Sequence, residues 1–257
     1  MVGNAEIELA HALADAAGAI ARRYFRQPIG VDTKPDRTPV TVADREAEAT
    51  MRAAIEQRFP DDGILGEEFG AVRADAARVW VLDPIDGTMS FIAGMPLFGI
   101  LIALVEDGAP ALGIIDQPIS RERWLGAGGQ ATSRNGVPVR TRACSTIAAA
   151  ALYATSPDMF GADEPAFARL KASVKTARFG ADCYAYAQLA SGFVDLVVEA
   201  GLKPYDYCAL APVIAGAGGS ITDWCGEALG LGSDGRVIAA GDPVLAAKAR
   251  AVLAATP

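Results

Sequence analysis

The sequence predicts an α/β (α+β) fold in one compact unit with two halves, residues 1–143 and 144–257. Three observations indicate this. The chain has 257 residues, of which 51% are hydrophobic and 21% charged, as in a globular protein with a large core. The first half contains two amphipathic helices followed by hairpin-forming runs. The second half alternates short strands with helices, which is typical of crossover connections.

Apolar residues at helical spacing predict two helices near the start of the chain. The first covers residues 5–26, and the second covers about 43–59 and ends at Pro60. Between them, residues 30–41 are rich in proline, threonine and charge, and we expect a loop. His11 lies off the apolar stripe of the first helix, so we expect it at the surface.

Strand-like runs follow in the rest of the first half, over residues 78–83, 98–106, 111–116 and 122–125. The turn signal Asp107-Gly108 predicts that the second and third runs form a hairpin. Asn135-Gly136 is a strong signal for a two-residue hairpin turn further along.

The second half is expected to contain four strands and four helices. The strands are predicted at 150–155, 176–179, 194–199 and 236–240, and the helices at 163–173, 182–191, 206–217 and 243–254.

Composition excludes several classes of function. A net charge of −8 argues against nucleic-acid binding. The single histidine argues against Ser-His-Asp catalysis and excludes a multi-histidine metal site. The four cysteines form no C-x-x-C pair, so we expect buried, reduced thiols. No apolar run approaches the roughly 18 residues that span a membrane, and no basic leader is present, so a cytoplasmic protein with no membrane partner is predicted.

The most informative segment is Asp83-Pro84-Ile85-Asp86-Gly87-Thr88. An apolar strand ends at Asp83, and ligand sites of α/β sheets form at such ends. Asp86 follows three residues later, and a helix is predicted from Thr88 to Ile92. Two carboxylates beside a helix start that suits an anion indicate a cation between them, and magnesium takes oxygen ligands. The alternative is that Asp83 and Asp86 cap the helix.

Three further acidic segments favour the metal site. Gly66-Glu67-Glu68 follows a short apolar run, Asp44 begins the second predicted helix, and Asp206 begins the helix predicted over 206–217. Asp44 and Asp206 could also be simple helix caps. Four acidic segments in a chain with one histidine are together best explained as an oxygen-only metal site.

These motifs resemble the inositol monophosphatase superfamily of magnesium-dependent, lithium-sensitive phosphatases. The resemblance extends from about Lys34-Pro35-Asp36 to Gly216-Ala217-Gly218-Gly219. Ser90-Phe91 and Leu202-Lys203-Pro204-Tyr205-Asp206-Tyr207 are most similar to its histidinol-phosphatase branch, which serves histidine biosynthesis. Met89 stands where a lysine is expected.

The resemblance implies a layered αβαβα sandwich, a homodimer and two or three magnesium ions per site. Glu67, Asp83 and the Ile85 carbonyl would hold one ion, Asp83, Asp86 and Asp206 a second, and Glu67 a weaker third. Asp44 and Thr88 would orient and deprotonate the attacking water, with Glu67 as a further catalytic residue. Because the metal itself activates water, no histidine base is needed.

The expected substrate is a small phosphate ester. Ile85, Asp86, Gly87, Thr88 and Asp206 would contact it, with the Gly87 and Thr88 amides on the phosphate. Histidinol phosphate also carries an amine and an imidazole, so Asp182 and Glu199 are candidates for its cationic part. Each could instead be structural, Asp182 as a helix cap and Glu199 as a solvent-facing strand end. Inositol monophosphate, a nucleotide 3′-phosphate and a non-catalytic regulatory role are the alternatives.

Overall fold

Five layers, in the order helix, sheet, helix, sheet, helix, make up the molecule. The structure, a computed structural model, describes residues 2–33 and 39–255. The α/β (α+β) class and the αβαβα sandwich expected from the sequence are both confirmed. The segment Lys34-Pro35-Asp36, at which the resemblance begins, lies outside the described residues.

The first layer consists of α1 (Asn4–Tyr24) and α2 (Val42–Arg58), which pack against each other and against the larger sheet. Both helices were predicted to within two residues at each end. The expected loop between them instead contains a small antiparallel pair, β1 (Val31–Thr33) and β2 (Pro39–Thr41). Its strands are too short and too polar to produce an apolar pattern.

The larger sheet has eight strands in the order β10-β9-β8-β7-β6-β5-β3-β4. They are β3 (Gly63–Gly66), β4 (Gly70–Val72), β5 (Arg78–Asp86), β6 (Gly99–Glu106), β7 (Ala109–Gln117), β8 (Glu122–Ala127), β9 (Ser133–Arg134) and β10 (Val137–Pro138). β3 pairs parallel with β5, and the other neighbours are antiparallel. Both predicted hairpin turns are confirmed, and the short helix α3 (Thr88–Ile92) follows β5 as predicted.

The alternation of β5 determines where its acidic end points. Trp80 and Leu82 are buried against the first helix layer, whereas Val79 and Val81 are buried against the middle layer. Successive side chains of a strand point to opposite faces, so Asp83 follows Val79 and Val81 toward the middle layer.

The smaller sheet has five strands in the order β12-β11-β13-β15-β14. They are β11 (Ala151–Ala154), β12 (Thr176–Phe179), β13 (Leu196–Glu199), β14 (Ser220–Thr222) and β15 (Val237–Ala240). Outside this sheet pack α4 (Glu164–Ser173) and α8 (Pro243–Ala254), and two 3₁₀ segments cover Ile147–Ala149 and Pro157–Asp163. The middle layer holds α5 (Asp182–Ala190), α6 (Pro204–Tyr207) and α7 (Leu210–Gly216).

The single helix predicted over 206–217 is therefore wrong, because α6 and α7 are separate. Pro212 has no N–H to donate to the carbonyl of Cys208, so the helical ladder is interrupted there. The last residues of α6 and the start of α7 are buried against the larger sheet.

Two glycines let this segment approach the sheet closely. A Cβ on Gly113 would lie 2.0 Å from the Ala209 carbonyl oxygen, and one on Gly126 would lie 2.4 Å from the Pro212 carbonyl carbon. The backbone of α7 thus rests directly on β7 and β8, which fixes the position of the preceding α6.

Two smaller expectations need correction. His11 is half-buried rather than fully at the surface, since its ring faces the Arg123 guanidinium at 3.3 Å. The four cysteines are free thiols, as predicted, but only Cys183 and Cys208 are buried, because Cys144 is partly exposed and Cys225 is exposed. Within the described residues, every helix is too short or too polar to cross a lipid bilayer.

Candidate metal centre

Three aspartates converge between the two sheets. Asp83 and Asp86 come from the end of β5, and Asp206 comes from α6. One carboxylate oxygen of each lies within 4.8 Å of the others. The structure thus brings together acids from both halves of the chain.

Each of these aspartates is held by a backbone N–H. The amide of Ile85 donates to Asp83 Oδ1 at 3.0 Å, that of Cys183 to Asp86 Oδ2 at 2.6 Å, and that of Lys203 to Asp206 Oδ2 at 2.6 Å. The contacts fix the orientation of each carboxylate.

The alternative that Asp83 and Asp86 cap α3 is wrong. Gly87 is the N-cap residue of that helix, and no side chain caps it. For Asp206 the cap interpretation is correct for one oxygen, because Oδ2 receives the Lys203 amide at the start of α6.

Burial and mutual repulsion make this cluster costly without a cation. Burial, then the charges of Glu67 and Asp86, raise the pKa of Asp83 well above its ordinary value. Burial and the charges of Asp182 and Asp206 do the same to the pKa of Asp86. Burial raises the pKa of Asp206 to about 7. An all-oxygen set of converging carboxylates with raised pKa values fits a hard divalent cation such as magnesium.

Glu67 lies at the edge of the cluster. It directly follows β3, and its N–H extends the parallel ladder by donating to the Leu82 carbonyl at 3.2 Å. Burial raises the pKa values of Asp44, Asp83 and Asp206, and the charge of Glu67 raises them further, so its carboxylate is near all three.

Asp44 and Thr88 lie next to each other at the site. Asp44 is fully buried at the start of α2, where its Oδ2 accepts bonds from the Thr41 N–H at 2.8 Å and the Thr41 hydroxyl at 2.5 Å. Its Oδ1 is 3.5 Å from the Thr88 hydroxyl, which lies closer, at 3.2 Å, to the Ile85 carbonyl oxygen. Asp44 therefore caps α2 with one oxygen and presents the other to Thr88.

A strained turn just before α5 borders the site next to Asp86. Gly180, Ala181 and Asp182 all have positive φ angles, of 74°, 131° and 45°. Such conformations cost about 1–3 kcal/mol at a non-glycine residue and persist where the surroundings impose them. This turn directs the Cys183 N–H at Asp86, and it brings Asp182 against Gly87, where a Cβ would lie 2.7 Å from Asp182 Oδ2.

Asp182 does not cap α5, whose N-cap residue is Ala181 without a side-chain bond. Its carboxylate instead accepts a hydrogen bond from the Ser90 hydroxyl at 2.9 Å. Burial raises the pKa of Asp182.

Glu199 is only 3% exposed, so the alternative that it is a solvent-facing strand end is wrong. The Tyr186 hydroxyl and the Thr155 N–H each donate to its carboxylate at 2.8 Å. Burial raises the pKa of Glu199. A cavity of about 120 Å³ lies beside it, with lining residues that include Asp86, Asp182, Glu199 and Asp206.

Several contributors to the site carry no signal in the sequence. Ser90, Thr155 and the Cys183 amide act through contacts between distant segments, which no local pattern reveals. Tyr186 is buried in the core, and its hydroxyl orients Glu199.

The fold and the buried carboxylates together define a phosphatase of known type, and the chain belongs to the inositol monophosphatase family. The sequence profile of that family matches residues 4–256. Its members depend on magnesium, and the acidic cluster described above is consistent with that requirement.

Individual relatives cover most of the chain. The bifunctional phosphatase IMPL2, chloroplastic, of Arabidopsis thaliana is 51% identical over 242 residues, which cover 90% of this chain and 70% of that protein. The histidinol-phosphatase of Chlorobaculum parvum is 37% identical and covers 91% of this chain and 92% of its own. A solved inositol monophosphatase from Zymomonas mobilis has 50% identity and a TM-score of 0.89, covering 96% and 97% of the two chains.

Proposed function

We propose that the protein is a magnesium-dependent histidinol-phosphate phosphatase. The observation that carries this proposal is the cavity beside the acidic cluster, which is lined by two further acids, the half-buried Asp182 and the buried Glu199. Two carboxylates beyond the metal ligands suit a substrate with a cationic part. The histidinol-phosphatase of Chlorobaculum parvum, similar over nearly the whole chain, supports the same substrate.

The metal would be held by residues of both halves of the chain. Glu67, Asp83 and the Ile85 carbonyl would bind one ion, Asp83, Asp86 and Asp206 a second, and Glu67 a weaker third. Magnesium supplies charge neutralisation on the phosphate and on the leaving oxygen, and it lowers the pKa of the attacking water.

Thr88 and Asp44 would orient that water. In this role the Thr88 hydroxyl accepts a hydrogen bond from water and donates its own proton toward Asp44 Oδ1, 3.5 Å away. Asp44 Oδ2 stays bound to Thr41, so Oδ1 is directed at the site. The Gly87 and Thr88 amides, at the start of α3, would hold the phosphate.

Asp182 and Glu199 would bind the amine and imidazole of the substrate. Their raised pKa values reflect burial, and a cationic group between them would favour the ionised carboxylates. Ser90 and Tyr186 hold the two side chains in place.

A panel of phosphate esters tests the proposal. We expect kcat/KM to be highest for histidinol phosphate, with inositol 1-phosphate and adenosine 3′-phosphate well below it. Glu199→Gln and Asp182→Asn should each lower kcat/KM for histidinol phosphate at least about 10-fold more than for inositol 1-phosphate, whose polyol carries no cation, since only histidinol phosphate loses a charge partner. Asp158→Asn, an exposed change, is the control.

The same panel addresses the second candidate. The likeness to a solved inositol monophosphatase favours inositol monophosphate. A higher kcat/KM for that ester, with equal effects of the two substitutions on both substrates, would replace histidinol phosphate by an inositol ester.

Lithium sensitivity and a homodimer complete the proposal. Both follow from the family resemblance. Lithium added to the magnesium-loaded enzyme should lower its turnover, and light scattering of the purified protein should give twice the chain mass of 26.6 kDa.

A further inference from the structure

A buried ion pair forms hydrogen bonds with the backbone of the turn that carries Glu67. Glu48, on α2, is fully buried, and its carboxylate is paired with Arg52 Nε at 2.7 Å. The pair faces the connection between β3 and β4, residues 67–69, whose first residue is Glu67.

Backbone groups of that turn satisfy the pair. Glu48 Oε2 accepts the Glu68 N–H at 2.7 Å, and Oε1 accepts the Phe69 N–H at 3.2 Å. Arg52 Nη2 donates to the Gly70 carbonyl. Two amides and one carbonyl in successive residues are thus held by side chains of one helix.

The turn has no room to move toward the helix. A Cβ on Gly66 would lie 2.0 Å from Glu48 Oε1, so the backbone just before Glu67 lies directly on that carboxylate. A buried carboxylate without its hydrogen bonds is costly, so the chain keeps the amides of 68 and 69 turned inward.

The same helix also carries Asp44. Asp44 and Glu48 are four residues apart and therefore share one face of α2. The first turn of the helix supports the Thr88 side of the site, and the next turn supports the Glu67 side. A single rigid element fixes both.

We propose that Glu48 is a positioning residue that sets the place of the Glu67 carboxylate and thereby the metal affinity of the centre. The inference rests on the proposed function, since it takes Glu67 as a metal ligand. Residues that orient metal ligands typically change metal affinity about 10- to 100-fold when they are replaced.

The test measures binding of Mn²⁺, a hard cation that takes the same oxygen ligands as magnesium, by the electron paramagnetic resonance signal of the free ion. Glu48→Gln keeps the size of the side chain but removes its charge and one acceptor. We expect the dissociation constant to rise about 10-fold. Glu56→Gln, an exposed change on the same helix, should leave it unchanged.

A double substitution separates positioning from general destabilisation. If Glu48 acts through Glu67, Glu48→Gln should weaken Mn²⁺ binding no further in a Glu67→Gln background, while it still weakens binding in an Asp206→Asn background. Additive losses with Glu67→Gln, or an unchanged affinity of Glu48→Gln alone, would overturn the proposal. Should Glu48→Gln fail to fold, Glu48→Asp withdraws the carboxylate while keeping its charge, and the same criteria apply.

Failure of the proposed function gives a different result. A wild-type protein that binds no Mn²⁺ would contradict the metal-dependent activity itself. A Glu67→Gln protein with wild-type affinity would remove Glu67 from the centre and the role of Glu48 with it.

Discussion

Individual acids in this site serve two purposes with their two oxygens. Asp44 and Asp206 each use Oδ2 to accept an N–H three residues earlier in the chain. In Asp44 the other oxygen points to Thr88, and in Asp206 one oxygen lies in the acidic cluster. A capping role therefore does not compete with the proposed role in chemistry, because the cap fixes the carboxylate that the chemistry would use.

The three clustered aspartates should be individually indispensable. Asp83→Asn, Asp86→Asn and Asp206→Asn each remove one charged ligand, so we expect turnover to be nearly abolished while the far-ultraviolet circular dichroism stays native. Removing one of several carboxylates that repel one another lowers the electrostatic repulsion, so the free energy of unfolding of the metal-free protein should not fall. Wild-type-like turnover in any variant would take that residue out of the site.

Thr88 distinguishes a structural hydroxyl from a water-orienting one. If Thr88 orients the nucleophile, Thr88→Ala should lower kcat about 100-fold or more with little change in KM, and Thr88→Ser should keep much of the activity. Asp44→Asn should also be defective, and the double variant little worse than the poorer single one. Steady-state kinetics measure these effects. A normal kcat in Thr88→Ala would contradict the proposal that Thr88 and Asp44 orient the water.

Site residues that belong to one local motif could be predicted from the sequence. Those that reach the site through contacts between distant segments could not. Asp83, Asp86 and Thr88 stand in one short segment at the end of a strand, so their proximity follows from sequence. The Ser90 contact to Asp182 and the Cys183 contact to Asp86 join segments more than 90 residues apart. The packing of α5 against β6 and β7 of the larger sheet brings them together.

At the level of elements, strong turn signals and long stretches of periodic apolar residues were sufficient to predict the hairpin turns and the longer helices and strands. The turns Asp107-Gly108 and Asn135-Gly136 have the positive φ angles that their sequences favour. The edge strands β4 and β14 were missed, because three-residue strands at a sheet edge bury too little to show a pattern. The interruption between α6 and α7 was missed because apolar periodicity continues through Pro212.

The contact between α7 and the larger sheet depends on glycine. Gly113→Ala would place a methyl group 2.0 Å from the Ala209 carbonyl oxygen, so the backbone must shift. We expect destabilisation of about 1–3 kcal/mol and a melting temperature lower by several degrees. The matched control is Gly128→Ala, whose Cβ would meet only the Ala111 carbonyl oxygen at 3.7 Å. Equal melting temperatures of the two variants would contradict this account.

For the whole molecule, the acidic cluster should make stability depend on pH and on metal together. The folded-state pKa of Asp206 is raised to about 7, and those of Asp83 and Asp86 are raised as well. A carboxyl whose pKa is higher in the folded state binds its proton more tightly there. Its stabilising effect is present at low pH and is lost as pH rises from about 4 to about 7.

Thermal unfolding in chelator should therefore give a lower melting temperature at pH 8 than at pH 5.5. Magnesium at pH 8 should restore it, because the ion replaces the protons as the balancing charge. The melting temperature of Asp206→Asn in chelator should depend less on pH than that of the wild type. A metal-free melting temperature that rises over this range would contradict the prediction.

The division of the acidic cluster between the two halves of the chain also affects how the protein is made. Asp206 leaves the ribosome about 120 residues after Asp86, a delay on the order of ten seconds at about 5–20 residues per second. During that interval the nascent chain carries only part of the acidic cluster, and the Cys183 amide that orients Asp86 is missing for most of it. The complete acidic cluster is thus assembled only at a late stage of translation, and a nascent chain that stalls halfway lacks part of the negative charge that the proposed magnesium site requires.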